Sequence, residues 1–535
     1  MQDAIAGAPR RWVMQVAAAL IAGALLVFAV ALGTADAKQS GKKGCQPGEP
    51  TGAAGVGDEY YPNYGNGGYD VRKYELDVTY SPSTAKITNG RATITSRATQ
   101  SVCRFNLDFV GLKVKKIKVD GDKAKWRRTE HELKVTPKDS LERGKRFETV
   151  IKYRGEPTEF VIPGLDLRTG FMDTADGATV AGQPEVAAGW FPVNDHPRDK
   201  AKYEFDVTVP NGYEVVANGF LRDVDTNKKR TTWEWKAREP MASYLATIDI
   251  GFWDVHRWRT GDDLPVYDAV DSALTGELRD FIDADLARQG EVIDVLEGAF
   301  GPYPFSTIGA IVESQDDLFF ALETQTRPVY SKLFWLDREG NPEPNSGVVV
   351  HEIAHQWYGD DVALHRWQDI WLNEGFATYA EWLWAEHEGQ GTPQETFQAT
   401  YDAIPADDEF WSIVIGDPGV ENLFSDPVYV RGAMTLQVLR NEVGDAAFFE
   451  ILQQWAATKS GGTGTTPEFI ALAEEIAGED LDEAVWDPWL FTAGKPDFSE
   501  PEGAAAQAAP SAESRARTQS WLDEVSERLD EAGRY

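Results

Sequence analysis

The chain has 535 residues, of which 87 are acidic and 52 basic, and its formal net charge is -35. A chain of this length is expected to fold into roughly two to four domains. The acidic charge is spread along the chain without a long basic block, which argues against nucleic acid as a partner.

The first 37 residues are predicted to be an export segment. Arg10 and Arg11 precede an apolar run at 12–32, and Ala-Asp-Ala at 35–37 has the small-x-small pattern of a cleavage site. The alternative is an uncleaved anchor, because the apolar run is about long enough to span a bilayer. We therefore expect a secreted or otherwise extracytoplasmic protein, with membrane contact only if residues 12–32 are retained.

The segment at 38–57, rich in Gly, Lys and Pro, is predicted to be a linker. The chain has two cysteines, Cys45 and Cys103. An even number of cysteines in an oxidising compartment favours a Cys45–Cys103 disulfide, and two unpaired thiols are the alternative.

Residues 58–254 are predicted to form a β domain. Short runs in this region alternate apolar and polar residues with a period of two and are bounded by turn residues. The clearest runs are at 74–80, 92–96, 203–209 and 231–235.

From about residue 270 the apolar period becomes helical, which predicts a mainly helical second domain at 255–494. Apolar residues recur at helical spacing in four stretches, at 349–358, 371–388, 428–442 and 447–457. Beyond this domain, 495–535 is predicted to be a low-complexity tail that includes a short amphipathic helix at 513–531. The fold class predicted from these patterns is α+β.

A candidate metal site lies in the second domain, where His351 and His355 are separated by one helical turn. Positions i and i+4 of a helix lie one above the other, so the two imidazoles can bind one metal ion. Glu352 is displaced around the helix, where it can reach an activated water as a general base. The chain has seven histidines, so this pattern would seldom arise by chance. The alternative is an incidental pair on a surface helix, which the apolar residues on both sides of the motif disfavour.

A catalytic zinc ion takes three protein ligands and leaves one position for water, so a third ligand is required. Eighteen residues lie between His355 and Glu374, which is near the start of the next helical stretch, and Glu374 is the predicted third ligand. His365 is the other candidate. The metzincin pattern that would use such a histidine requires a Gly and a His at positions occupied here by Tyr358 and Asp361. We interpret His365 as a structural loop residue.

The segments HEIAHQWYGD and WLNEGFATY resemble those of the gluzincin aminopeptidases, the family of membrane alanyl aminopeptidase and leukotriene hydrolase. The resemblance covers residues 58–494. It implies an N-terminal antiparallel β domain followed by a thermolysin-like catalytic domain, with the active site in the groove between them. It also implies one zinc ion. The family often has a further helical domain that encloses the groove, so a chain of this length is expected to have a more open one.

The resemblance further implies residues that bind the free amine of a peptide. The family's Gly-x-Met-Glu-Asn segment matches 320–324, in which Glu323 is retained but the Gly, Met and Asn are not. The family's Gln-x-Glu segment matches Gln183 and Glu185. Two carboxylates at one end of a cleft would pair with a substrate ammonium, which an internal peptide segment lacks. The alternative is that both glutamates are ordinary surface acids.

A third match concerns Tyr429, which corresponds to the tyrosine of the family's Tyr-x-Lys-Gly helix start, with Arg431 in place of the lysine. The resemblance implies that its hydroxyl stabilises the oxyanion, and a packed helix-start aromatic is the alternative. The predicted function is therefore a zinc aminopeptidase that acts on peptides with a free N-terminus. A zinc endopeptidase, a dual-function hydrolase of the same fold and a non-catalytic peptide-binding relative are the rival hypotheses.

Overall fold

Alternating strands build the first domain of the computed structural model, which describes Cys45 and residues 48–162, 164–165 and 167–498. In the strand at 201–210, for example, Tyr203, Phe205 and Val207 are buried and the residues between them are more exposed. The strands of this domain are β1 (Tyr69–Ser81), β2 (Lys86–Ala98), β3 (Phe105–Asp108), β4 (Lys113–Val119), β5 (Asp122–Lys123), β6 (Lys125–Arg128), β7 (Glu132–Thr136), β8 (Arg146–Gly155), β9 (Glu159–Ile162), β10 (Leu167–Asp173), β11 (Ala178–Ala181), β12 (Ala201–Pro210), β13 (Glu214–Ala217), β14 (Phe220–Thr226), β15 (Arg230–Met241) and β16 (Ile248–Gly251).

These strands form three sheets. The largest has the order β14-β15-β12-β1-β2-β8-β4-β5, a second has β13-β16-β11-β10-β9, and a third has β3-β7-β6. The pairing is antiparallel, as predicted, except that β1 and β12 run parallel. All four predicted runs lie inside observed strands, namely β1, β2, β12 and β15.

The described part of the predicted linker packs on the β domain. The amide of Gly52 donates to the carbonyl of Arg104 at 2.8 Å, and Thr51 forms a bridge with the same residue. The Cα atoms of Cys45 and Cys103 are 5.0 Å apart, a distance that a disulfide spans. Residues 48–57 therefore differ from a free linker, because these backbone contacts hold them beside β3.

The second domain combines a small mixed sheet with helices. Its strands are β17 (Trp253–Arg259), β18 (Pro265–Asp271), β19 (Ile308–Glu313), β20 (Val329–Ser331), β21 (Ala363–Leu364) and β22 (Thr463–Gly464). Its helices are α1 (Glu277–Leu286), α2 (Gln289–Phe300), α3 (Ser346–Ala354), α4 (Trp371–His387), α5 (Pro393–Ala403), α6 (Asp426–Val443), α7 (Asp445–Lys459) and α8 (Thr466–Ala477), followed by a π-helical segment, Asp482–Phe491. The domain boundary predicted after residue 254 lies inside β17, which pairs with β18 of this sheet.

The helix predicted at 349–358 is shorter at its C-terminal end than expected, because α3 ends at Ala354. The chain then turns through Gly359, whose φ of 134° favours glycine. At the other end of α3, the side chain of Asn345 accepts a hydrogen bond from the amide of Val348 at 3.3 Å. This N-cap fixes the start of the helix that carries both candidate histidines.

The predicted tail begins as an ordered segment. Phe498 packs against Phe397 with ring centroids 4.6 Å apart, and the Lys495 ammonium donates to the carbonyls of Tyr401 and Ile404.

The predicted amphipathic helix at 513–531 and the export segment at 1–37 lie outside the described residues. Within the described part of the chain, no helix is both long and apolar enough to cross a bilayer.

Candidate metal centre and active site

Helix α3 and the turn after it bring His351 and His355 to one point. The Nε2 atoms of His351 and His355 lie 3.4 and 3.3 Å from the same oxygen, Oε2 of Glu374. One ligand atom from each of the three residues lies within 4.8 Å of the others. The structure therefore brings together the three predicted metal ligands.

The other ring nitrogens of the two histidines are held by oxygen acceptors. Nδ1 of His351 is 2.7 Å from Oε1 of Glu381, and Nδ1 of His355 is 3.0 Å from the carbonyl oxygen of Tyr358. Because both acceptors are oxygens, each Nδ1 donates and each Nε2 is directed at the common point, where it would give its lone pair to a metal ion on losing its proton. Both imidazoles are thus oriented for metal binding.

Helix α4, which carries Glu374, packs closely against α6, which carries Tyr429. A Cβ atom at Gly375 would lie 2.8 Å from the Cα of Gly432, and one at Gly432 would lie equally close to the Cα of Gly375. Only glycine at both positions permits this approach without a shift of one helix. The crossing lies next to Glu374 and three residues from Tyr429, so it sets the separation of these two side chains.

The electrostatic environment of the cluster favours a cation. Burial lowers the pKa of an imidazole, but the carboxylate of Glu374 outweighs this effect and raises the pKa of His355 to about 9. Glu374 and Glu381 together raise the pKa of His351 well above its usual range. Two imidazole nitrogens and a carboxylate oxygen in this field match the donor set of a catalytic zinc site.

Two further glutamates lie beside this cluster. One ligand atom from each of Glu323, Glu352 and His355 lies within 4.8 Å of the others. Burial raises the pKa of Glu352 to about 8, and its Oε2 has no hydrogen-bond partner among the described residues. Gln356 holds the backbone of the Glu323 segment, because its side chain donates to the Glu323 carbonyl at 3.2 Å and accepts from the Thr326 amide at 2.7 Å.

Tyr429 also faces the candidate metal site. Its ring stacks on that of His351 with centroids 6.0 Å apart and an interplanar angle of 21°. Burial and the charge of Glu374 raise the pKa of Tyr429 well above its usual range, so its hydroxyl stays protonated. The hydroxyl is therefore a hydrogen-bond donor beside the cluster at neutral pH.

Arg431, which replaces the lysine of the family pattern, is buried and ties α6 to the end of the domain. Its guanidinium donates to five backbone carbonyls, those of Trp411, Ile413, Pro488, Trp489 and Thr492. A lysine ammonium has three donors and could satisfy fewer of these acceptors. The contacts hold the first turns of α6, and with them Tyr429.

Gln183 and Glu185 lie on the turn that follows β11 in the β domain. Oε1 of Gln183 and Oε2 of Glu185 are buried and have no hydrogen-bond partner among the described residues. Burial, with repulsion from Asp195, raises the pKa of Glu185 to about 7. Glu185 shares none of the described hydrogen bonds with Glu323 or α3, so its role at the amine remains a prediction.

His365 lies apart from the three candidate ligands. It follows β21, its Nδ1 is 3.1 Å from the Thr463 hydroxyl, and its carbonyl accepts from the guanidinium of Arg198. These contacts are those expected of a loop residue that joins the two domains.

Two residues that contact the predicted site were not predicted from the sequence. Glu381 lies seven residues after Glu374, two helical turns along the same face of α4, and this spacing could have indicated it. Tyr244 lies in a short turn of the β domain, and its hydroxyl donates to Oε1 of Glu323 at 2.8 Å. No local sequence pattern points to Tyr244, because the contact joins residues 79 positions apart.

Comparison with known proteins agrees with this geometry. Residues 71–245 match the peptidase M1 N-terminal domain, and residues 287–489 match the peptidase family M1 domain. The chain belongs to the M1 peptidase family. The two matched ranges correspond to the β domain and to most of the helical domain, so the α+β fold predicted from the sequence is confirmed.

Solved structures of M1 peptidases are similar over most of the chain. The M1 zinc metallopeptidase from Deinococcus radiodurans has a TM-score of 0.73 and 28% sequence identity, covering 84% of this M1 chain and 100% of that protein. A mutant of a two-domain M1 zinc metallopeptidase bound to L-arginine has a TM-score of 0.75 at the same identity and coverage.

Relatives known by sequence are longer. The probable aminopeptidase 2 of Sulfurisphaera tokodaii is 26% identical over 412 residues, which is 73% of this M1 chain and 50% of the relative. Aminopeptidase N of Streptomyces lividans is 26% identical over 326 residues, 56% of this chain and 36% of the relative. The chain thus spans at most about half the length of these two relatives.

Proposed function

We propose that the protein is a zinc-dependent aminopeptidase that removes single residues from the N-terminus of peptides. The observation that carries this proposal is the convergence of His351, His355 and Glu374, with Glu352, Glu323 and Tyr429 around them. The names of the relatives support it, since those from Sulfurisphaera tokodaii and Streptomyces lividans are aminopeptidases.

One zinc ion would be held by Nε2 of His351, Nε2 of His355 and the carboxylate of Glu374. Glu381 and the Tyr358 carbonyl would keep the two rings in the binding orientation. Zinc at this position supplies a Lewis acid that acidifies water and polarises the scissile carbonyl.

Glu352 is proposed to move the proton in this reaction. The pKa of Glu352 would be lowered by a bound zinc ion, which would leave its carboxylate ionised. Its buried and unpartnered Oε2 then accepts a proton from the water that attacks the scissile carbonyl. The carbonyl oxygen then gains negative charge, and the Tyr429 hydroxyl donates a hydrogen bond to it, a contribution of about 3 kcal/mol for one well-aimed donor. Glu352 returns the proton to the amine nitrogen as the C–N bond breaks.

Selection of the peptide N-terminus is assigned to the carboxylates of Glu323 and Glu185. Both are mostly buried, and the substrate ammonium provides the cation that such groups require. The side-chain oxygen of Gln183 is a further buried acceptor for the amine. A substrate without a free amine would leave these acceptors unpaired, which costs several kcal/mol.

Peptides with a free N-terminus are the proposed substrates. A mutant of the structurally similar Deinococcus radiodurans enzyme was solved with a Tyr-Ser-Ala substrate, which is a short peptide. Its structure covers 84% of this chain at 28% identity, which supports the same substrate class here.

The direct test compares an aminoacyl fluorophore with its N-acetylated form. We expect the free-amine substrate to be cleaved and acetylation to lower kcat/KM by more than about 100-fold, because the buried acceptors lose their cation. A chelator should stop cleavage of the free-amine substrate. This step controls for a contaminating hydrolase that does not depend on a metal ion. Equal rates on the two substrates would contradict the proposal and favour a zinc endopeptidase.

We also propose that the protein acts outside the cytoplasm and that Cys45 and Cys103 form a disulfide there. The pattern at 1–37 and the 5.0 Å separation of the two Cα atoms support this pairing. Mass spectrometry of a non-reduced digest is expected to yield one peptide that contains both cysteines. Two free thiols in protein secreted by its host would contradict it.

A further inference from the structure

A tyrosine from the β domain holds the glutamate assigned to the substrate amine. The Tyr244 hydroxyl donates to Oε1 of Glu323 at 2.8 Å, and both side chains are buried. Tyr244 lies between β15 and β16, whereas Glu323 lies in the second domain between β19 and β20. The hydrogen bond therefore fixes the Glu323 carboxylate relative to the β domain.

Tyr244 is itself held in place. Its ring packs edge-on against Trp367 with centroids 5.5 Å apart, and the Trp367 amide donates to the carboxylate of Asp58 at 2.9 Å. A buried phenol packed in this way has few alternative rotamers, so its hydroxyl presents a fixed direction to Glu323.

The preceding residue, Ser243, is connected to the second amine-binding segment. Its hydroxyl donates to Oδ1 of Asp195 at 2.7 Å, and Oδ2 of Asp195 accepts from the amide of Ala188 at 2.9 Å. Ala188 lies three residues after Glu185. One short turn thus contacts Glu323 directly and the Glu185 segment through a single carboxylate.

We propose that Tyr244 is a positioning residue for recognition of the substrate amine, acting through Glu323. The proposal rests on the proposed aminopeptidase function. A glutamate side chain has three rotatable bonds, and a hydrogen bond from a rigid donor selects one carboxylate orientation. Without the hydroxyl, Glu323 occupies several orientations and pairs with the ammonium less well.

The loss is expected in KM rather than in kcat. The Glu323 carboxylate contacts the substrate ammonium in the substrate complex and again in the transition state. Weakening this contact destabilises both states equally, which raises KM and leaves kcat unchanged. We expect Tyr244→Phe to raise KM for an aminoacyl fluorophore about 10-fold, the effect of losing one hydrogen bond to a charged group. The kcat should stay within about twofold of the wild-type value.

Tyr69→Phe is the matched control. Tyr69 is also buried, and its hydroxyl donates to the Asn106 carbonyl at 2.7 Å in the β domain, away from Glu323. We expect this variant to leave both KM and kcat unchanged, although it loses a similar buried hydrogen bond. A KM change in Tyr69→Phe as large as in Tyr244→Phe would overturn the proposal, because the effect would then be one of general stability.

A second variant and a binding measurement complete the test. Ser243→Ala breaks the contact to Asp195 and should raise KM about threefold. Calorimetry with an amino acid amide on the Glu352→Gln background should show about 10-fold weaker binding when Tyr244→Phe is added.

The outcomes separate the two proposals. A wild-type protein that cleaves no aminoacyl fluorophore removes the aminopeptidase function, and the role of Tyr244 with it. An active wild type in which Tyr244→Phe leaves KM and amide binding unchanged overturns only the positioning role.

Discussion

Replacement of Glu352 by glutamine is expected to lower kcat by between about 100- and 10,000-fold, the range that a general base contributes. Glutamine has nearly the same shape but cannot accept the proton from the attacking water. Glu352 is not one of the three predicted metal ligands, so zinc content should remain that of the wild type. The measurement is kcat for an aminoacyl fluorophore beside zinc content from elemental analysis.

Glu313→Gln provides the matched control for this result. Glu313 is also a buried glutamate in the second domain, but its carboxylate contacts Thr179 rather than the histidines. Burial raises its pKa well above the usual range, so a neutral glutamine is close to its native state. Wild-type kcat is expected for this variant. A Glu352→Gln enzyme with kcat within about tenfold of the wild type would remove Glu352 from the mechanism.

Replacement of Glu374 by alanine is expected to weaken zinc binding by more than about 100-fold. Loss of an outer partner of a zinc ligand typically costs 10- to 100-fold in affinity, and loss of a ligand itself should cost more. The hydrolytic activity should fall in parallel at limiting zinc. Competition with a chromogenic chelator measures the dissociation constant.

Glu381→Gln is the graded comparison for Glu374→Ala. It removes the carboxylate charge beside Nδ1 of His351 but leaves the three ligands intact, so a loss of about 10- to 100-fold in zinc affinity is expected. Equal affinities for Glu374→Ala and the wild type would show that the third ligand is another residue.

Local periodicity predicted four strands of the β domain, β1, β2, β12 and β15, and four helices of the second domain, α3, α4, α6 and α7. It failed for β19, Ile308–Glu313, in which all six residues are buried. A strand covered on both faces has no alternation, so its pattern cannot be told from that of a buried helix. The boundary predicted at residue 254 lies inside β17, which begins at Trp253 and pairs with β18.

His351 and His355 were predictable because one metal ion requires the i, i+4 spacing on a helix, and Glu374 because it lies near the start of the next helical stretch in a segment that resembles the family's. The residues that surround these ligands were harder to predict from the sequence. Glu381 follows from helical geometry once Glu374 is assigned, but Tyr244 depends on how two domains meet. The Gly375 and Gly432 contact likewise depends on the crossing of two helices that are far apart in sequence. Such contacts become visible only when the chain is folded.

The central claim is that one zinc ion, held by His351, His355 and Glu374, is required for cleavage of N-terminal residues. The most direct measurement strips the wild-type protein of metal and titrates it with zinc while occupancy and hydrolysis of an aminoacyl fluorophore are followed together. Activity is expected to rise in proportion to occupancy and to reach its plateau at one zinc per chain. Full activity in the metal-free protein, or a plateau that requires two ions, would contradict the claim.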